Sequence, residues 1–77
     1  MQKPSIGRIV LTNKGGKVIP AIIVRVWSDE VINVVGFYDG HNDFPGSIGE
    51  TIWLTSVHYG EGEESPLENH WIWPPRI

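Results

Sequence analysis

The chain has no cysteine among its 77 residues. That absence rules out a disulfide framework and any thiolate-bound metal. Basic residues are also scarce: 6 Lys and Arg stand against 9 Asp and Glu, a formal net charge of −3. A grip on long nucleic acid, which needs a basic patch to displace counterions, is therefore not expected. A small anionic ligand differs, because one or two well-placed cations hold it. No apolar run approaches the ~20 residues that cross a bilayer. The opening Met1-Gln2-Lys3-Pro4 lacks the apolar segment of a signal peptide, so a soluble protein without a membrane partner is expected. Also missing is any apolar pattern of 3.6-residue period long enough for a helix. Pro66-Leu67-Glu68-Asn69 offers one 3₁₀ turn at most.

What the chain does have is tryptophan, 4 residues of 77. Each indole is a large flat surface that needs a core, a partner chain or a ligand to cover it. Two of them stand in the tract His70-Trp71-Ile72-Trp73-Pro74-Pro75-Arg76-Ile77. In an extended strand Trp71 and Trp73 project to one side and Ile72 to the other.

Turn chemistry divides the rest into short apolar segments rich in β-branched residues. Ile6 to Thr12 closes at Asn13-Lys14-Gly15-Gly16-Lys17, whose glycine pair supplies the positive φ of a hairpin. Val18 to Trp27 turns at Ser28-Asp29-Glu30 into Val31 to Tyr38, a second hairpin. Asp39-Gly40 opens a long loop through Asp43, Pro45, Gly46 and Gly49 before Thr51 to Tyr59. An acidic loop, Gly60 to Pro66, then leads to the tail. These signals predict an all-β fold: a single domain over residues 1–77, built as a small five-stranded antiparallel SH3-like barrel, with an OB-like barrel as the competing topology.

The second segment carries a surplus. Val18, Pro20, Ile22, Val24 and Val26 share one face, and Ile19, Ala21, Ile23, Arg25 and Trp27 share the other. A barrel has one inside, so one apolar face is left over, and a homo-oligomer interface is expected to cover it. A chain this small buries only about 60% of its unfolded surface, which makes self-association a natural remedy. Pro20 cannot donate to a ladder and is expected at an edge or bulge.

Several stretches carry a resemblance: Pro4-Ser5-Ile6-Gly7-Arg8-Ile9-Val10, Ala21-Ile22-Ile23-Val24, Val57-His58-Tyr59 and Trp71-Ile72-Trp73-Pro74-Pro75-Arg76. In this order they resemble small phage and prophage proteins without an assigned activity. That group has a similar opening, a segment of alanine and branched aliphatics, a Val-Pro-Tyr-like step and a terminal Trp-x-Trp-Pro-x-Arg. The likeness covers most of the chain; the Asp39 to Gly49 loop matches poorly, and Leu11 replaces a common His. It implies a phage protein acting in the host cytoplasm: a virion part, a binder of a host protein, or a sponge for a host defence signal.

The residues themselves suit sequestration of a small nucleotide-type ligand. A nucleobase stacks on an aromatic ring for about 1–3 kcal/mol, and its phosphate pairs with Arg. Trp27, Tyr38, Trp53, Tyr59, Trp71 and Trp73 are the candidate stacking groups. Arg8, Arg25 and Arg76 are the candidate cations. A pocket between subunits would serve a chain too small to enclose a ligand alone. The duller reading of Trp27 and Trp53 is core or interface packing, and Trp71 and Trp73 equally suit a tail that closes the barrel. Glu61, Glu63 and Glu64 read as a solvated loop. The alternative function is a virion or interaction module that holds a protein or proline-rich peptide on its Trp-rich surface.

Catalysis is not expected. His41 with Asp39 and Asp43 is explained by turn chemistry. His58 and His70 with a Glu match no familiar ligand spacing. Ser56 near His58 lacks a nucleophile elbow. No catalytic residue, metal site or cofactor is assigned.

Overall fold

The computed structural model describes residues 2–38 and 51–75. Arg76 and the Asp39 to Gly49 loop, with its His41 cluster, lie outside the described residues. Among the described residues five strands close into a barrel in the order β1-β2-β3-β4-β5. They are β1 (Ile9–Lys14), β2 (Lys17–Val26), β3 (Val31–Phe37), β4 (Thr51–Tyr59) and β5 (His70–Ile72). Among the described residues no helix is long and apolar enough to cross a membrane.

The all-β reading holds, with one correction to the antiparallel sheet. β5 pairs antiparallel with β1 but parallel with β4, His58 facing His70 and Tyr59 facing Trp71. A parallel neighbour needs a longer connection than a hairpin, and residues 60–69 supply it. That segment ends in one turn, His70 N–H donating to the Leu67 carbonyl at 2.9 Å, in place of the 3₁₀ turn expected over Pro66 to Asn69.

Local chemistry sets the strand ends. At the first hairpin Gly15 and Gly16 have φ of 66° and 85°, and the Asn13 carbonyl oxygen accepts from Gly16 N–H at 3.0 Å. β1 begins later than the apolar run because Arg8 N–H bonds the Ser5 carbonyl at 3.2 Å, a turn in which Gly7 takes φ 94°. At the second hairpin Ser28 Oγ accepts from the N–H groups of Glu30 and Val31.

Ile19, Ala21 and Ile23 point inward with Val10, Ile32, Val34, Val57 and Trp71, each at most 1% exposed. Each buried branched aliphatic contributes about 1.5–3 kcal/mol. Gly36 makes room for this core: a Cβ there would stand 2.7 Å from Ile19 Cδ1. The other face of β2 looks outward, with Val18 39% and Val24 41% exposed. Pro20 obeys its constraint. Ile23 N–H points to β1, so by alternation Pro20 lacks its N–H on the β3 side, where pairing starts only at Ala21.

The lower half of β2 departs from strict alternation. Ile23 faces Val34 and Arg25 faces Asn33, so Val24 is an extra residue in a bulge. Beyond it Val26 packs on the core, while Arg25 and Trp27 are exposed. The expected common face of Ile23, Arg25 and Trp27 is therefore broken by one inserted residue. A second bulge lies across β3: Ile32 faces Val57 and Val34 faces Leu54, leaving Thr55 and Ser56 against Asn33. Ser56 takes φ 52° there.

Candidate functional site

The start and the end of the described chain meet at one end of the barrel. Gly7 N–H donates to the Ile23 carbonyl at 2.8 Å, and Ile23 N–H donates to the Arg8 carbonyl at 2.9 Å. This ladder extends β1 and fixes Arg8 near the point where the tail leaves β5. Trp73 packs on the core from the same side as Trp71, their rings 5.2 Å apart and edge to face. Its indole N–H donates to the Gln2 carbonyl at 3.2 Å. The Arg8 guanidinium carbon lies 5.2 Å from the Trp73 ring centroid. With its amide oriented to suit both groups, Gln2 also accepts from Arg8 at 2.5 and 2.9 Å.

Gln2, Gly7, Arg8, Ile9, Trp73 and Pro74 line an open, shallow cleft of about 540 Å³. That volume falls within the roughly 300–1,000 Å³ of small-molecule sites. Its chemistry is a cation beside an indole, flanked by an aliphatic chain and a proline ring. A planar group with an attached anion fits such walls, because the ring stacks while guanidinium N–H groups bind the anion.

A second pair is built differently. The Arg25 guanidinium carbon lies 4.0 Å from the Trp27 ring centroid. Trp27 is 56% exposed, yet its N–H donates to Asn33 Oδ1 at 2.9 Å. Asn33 is 6% exposed, and the same oxygen accepts from Ser56 N–H at 2.8 Å. The two bulges bring these donors to one buried acceptor. Neither Arg25 nor Trp27 lines the cleft.

The remaining candidate residues are scattered. Trp71 is fully buried, donates to the Glu30 carbonyl at 2.9 Å and packs 4.9 Å from the Tyr59 ring, so both rings serve the core. Trp53 is 63% exposed on the outer face of β4. Tyr38 is half-buried just beyond β3. Arg8 and Trp73 are thus the pair of sequence candidates that the cleft unites. Gln2 was not singled out by sequence, and nothing local marks it; Pro74 entered only as part of the terminal Trp-x-Trp-Pro-x-Arg stretch. Asn33 did leave a signal: one amide inside the apolar run Val31-Ile32-Asn33-Val34 asks for buried partners.

The acidic loop also departs from its solvated reading. Glu63 accepts from Leu67 N–H at 3.0 Å and meets His70 Nδ1 at 2.7 Å. Desolvation pushes its carboxyl pKa up, but the His70 and Leu67 hydrogen bonds and the His70 charge outweigh this and hold it below the ordinary 4.5. His58 is the register partner of His70. Among the described residues no three His, Cys, Asp or Glu side chains group to hold a metal ion. No family model, curated protein or solved structure matches the chain.

Proposed function

We propose that this chain is a non-enzymatic binding protein of phage origin that sequesters a small nucleotide-derived host signal in the Arg8–Trp73 cleft. The observation that carries this reading is the guanidinium 5.2 Å from the indole centroid in a cleft of about 540 Å³. Base stacking and a paired phosphate are what those two groups offer together. Among the described residues that line it, none exchanges protons near neutral pH, which suits capture rather than turnover. Phage origin and action in the host cytoplasm rest on the resemblance of the opening and the tail. We assign the barrel to the SH3-like kind on its strand order and on the short β5 that closes it against β1. The apolar outer face supports a homo-oligomer.

Native mass spectrometry with a panel of cyclic oligonucleotides and ADP-ribose derivatives tests the reading. A discrete ligand mass is expected, released intact on denaturation and lost in Arg8→Ala. A cleaved product, or no gained mass across the panel, overturns it. The second reading, a module for a protein or proline-rich peptide, is favoured by Trp27 and Trp53, both exposed and outside the cleft. A stable protein complex from infected cells, without small-molecule binding, would establish it instead.

A further inference from the structure

We infer that the Gln2 side-chain amide holds the place of the ligand's anionic group on Arg8, so that the cleft takes a ring compound bearing a phosphate, which displaces Gln2. The cleft's role as a nucleotide site rests on the reading above; the Gln2 contact does not. Oriented to suit both groups, the Gln2 amide oxygen accepts from both terminal nitrogens of Arg8, at 2.5 and 2.9 Å. That is the position an oxyanion takes on a guanidinium, whose donors form a rigid fork. Among the described residues no carboxylate pairs with Arg8; its partners are this neutral amide and the Trp73 ring, 5.2 Å away. A phosphate oxygen replaces the amide favourably, because charge on both sides roughly doubles the strength of such hydrogen bonds.

Charge and anchoring both suit such an exchange. Residues 2–10 carry Lys3 and Arg8 and no acid, and residues 71–75 carry no charge, in a chain with 9 acidic residues and a net charge of −3. The segments that line the cleft therefore bring no negative charge to repel a phosphate. Gln2 and Lys3 are exposed, whereas Pro4 is buried. The Trp73 indole N–H bonds the Gln2 backbone carbonyl at 3.2 Å, a contact that leaves the side chain out. With the backbone held at these two points, the Gln2 side chain turns away by itself, a rotamer change that exposed residues make in picoseconds to nanoseconds. Its release also returns the conformational freedom that a long side chain loses when fixed in one rotamer, which offsets part of the lost amide contact.

The test is an NMR titration of the full chain with adenosine monophosphate, read at the Trp73 indole N–H and the Arg8 guanidinium, with adenosine as the uncharged control. Gln2→Ala should bind the monophosphate about 3–10-fold more tightly than the parent chain, because its Arg8 is always vacant, and should bind adenosine no better. Gln2→Glu sets a tethered carboxylate on Arg8 and should weaken the monophosphate at least ~10-fold. Gln2 is exposed, so neither replacement touches the core. Monophosphate binding to Gln2→Ala that is absent, or no tighter than to the parent, overturns the inference, as does an equal gain for adenosine. Native mass spectrometry with cyclic oligonucleotides and ADP-ribose derivatives separates the two proposals. Intact capture of one of these by the parent chain, with no gain in Gln2→Ala, sinks the role of Gln2 alone. The expected gain for the monophosphate, with none of that panel captured, sinks the sequestration reading alone.

Discussion

Two arginine–tryptophan pairs flank the same stretch of β2, and they are made in opposite ways. Arg25 and Trp27 are two residues apart, turned outward together by one bulge, and held by a buried amide from the next strand. Arg8 and Trp73 come from the two ends of the described chain and meet only because β5 closes the barrel against β1. The local pair is a fixed ornament on a surface; the distant pair walls a cleft. The difference teaches that a cation over an indole is cheap to encode locally, whereas a concave site around one requires closure of the whole sheet.

The strongest way to break this contrast is to remove the support of the distant pair. Trp71→Ala deletes the fully buried indole on which Trp73 rests edge-on and removes one donor from the Glu30 carbonyl, which keeps the Tyr59 N–H. It should cost about 3–5 kcal/mol. That is a large part of the roughly 5–15 kcal/mol of a small domain, so the denaturation midpoint should fall steeply. A midpoint near that of the parent chain would show that β5 does not hold the barrel closed.

Asn33→Ala attacks the local pair. It strands the Trp27 and Ser56 N–H groups and should cost about 1–3 kcal/mol. Trp27 emission should shift to the red as the indole swings free, while the Arg8–Trp73 cleft keeps its ligand affinity. Loss of that affinity would mean that the two pairs act as one site.

The smallest effect is expected at Glu63, which clips the loop leading into β5. Its carboxyl pKa is lower in the folded state than the ordinary 4.5, so its contribution is fully present above that value. It is lost as pH falls through the folded pKa. Thermal melts of the parent chain and Glu63→Gln should therefore differ at neutral pH and converge in acid. A gap that stays constant through the acid range would show that the carboxylate charge contributes nothing.

The two hairpins were legible from Asn13 to Lys17 and from Ser28 to Glu30, because turn residues dictate backbone angles locally. The position of β4 was equally clear, since Thr51 to Tyr59 is bounded by turn chemistry on both sides. The bulge at Val24 was not legible: every residue around it is a good strand former, and the insertion exists only relative to the register of β3. For the same reason Arg25 and Trp27 were read onto one face with Ile23. The pairing of Arg8 with Trp73 was invisible too, because it depends on β5 pairing with β1 from the far end of the described chain.

The sequence by itself determined an all-β chain, its turns, and a surplus of apolar residues beyond what one small core can hold. Those properties follow from backbone preferences and hydrophobic patterning, which act over a few residues. Only the tertiary structure decided which face of β2 points inward, where its alternation resets, and which cation meets which indole. Those outcomes depend on barrel closure and strand register, which fix distances between residues that the chain separates by most of its length.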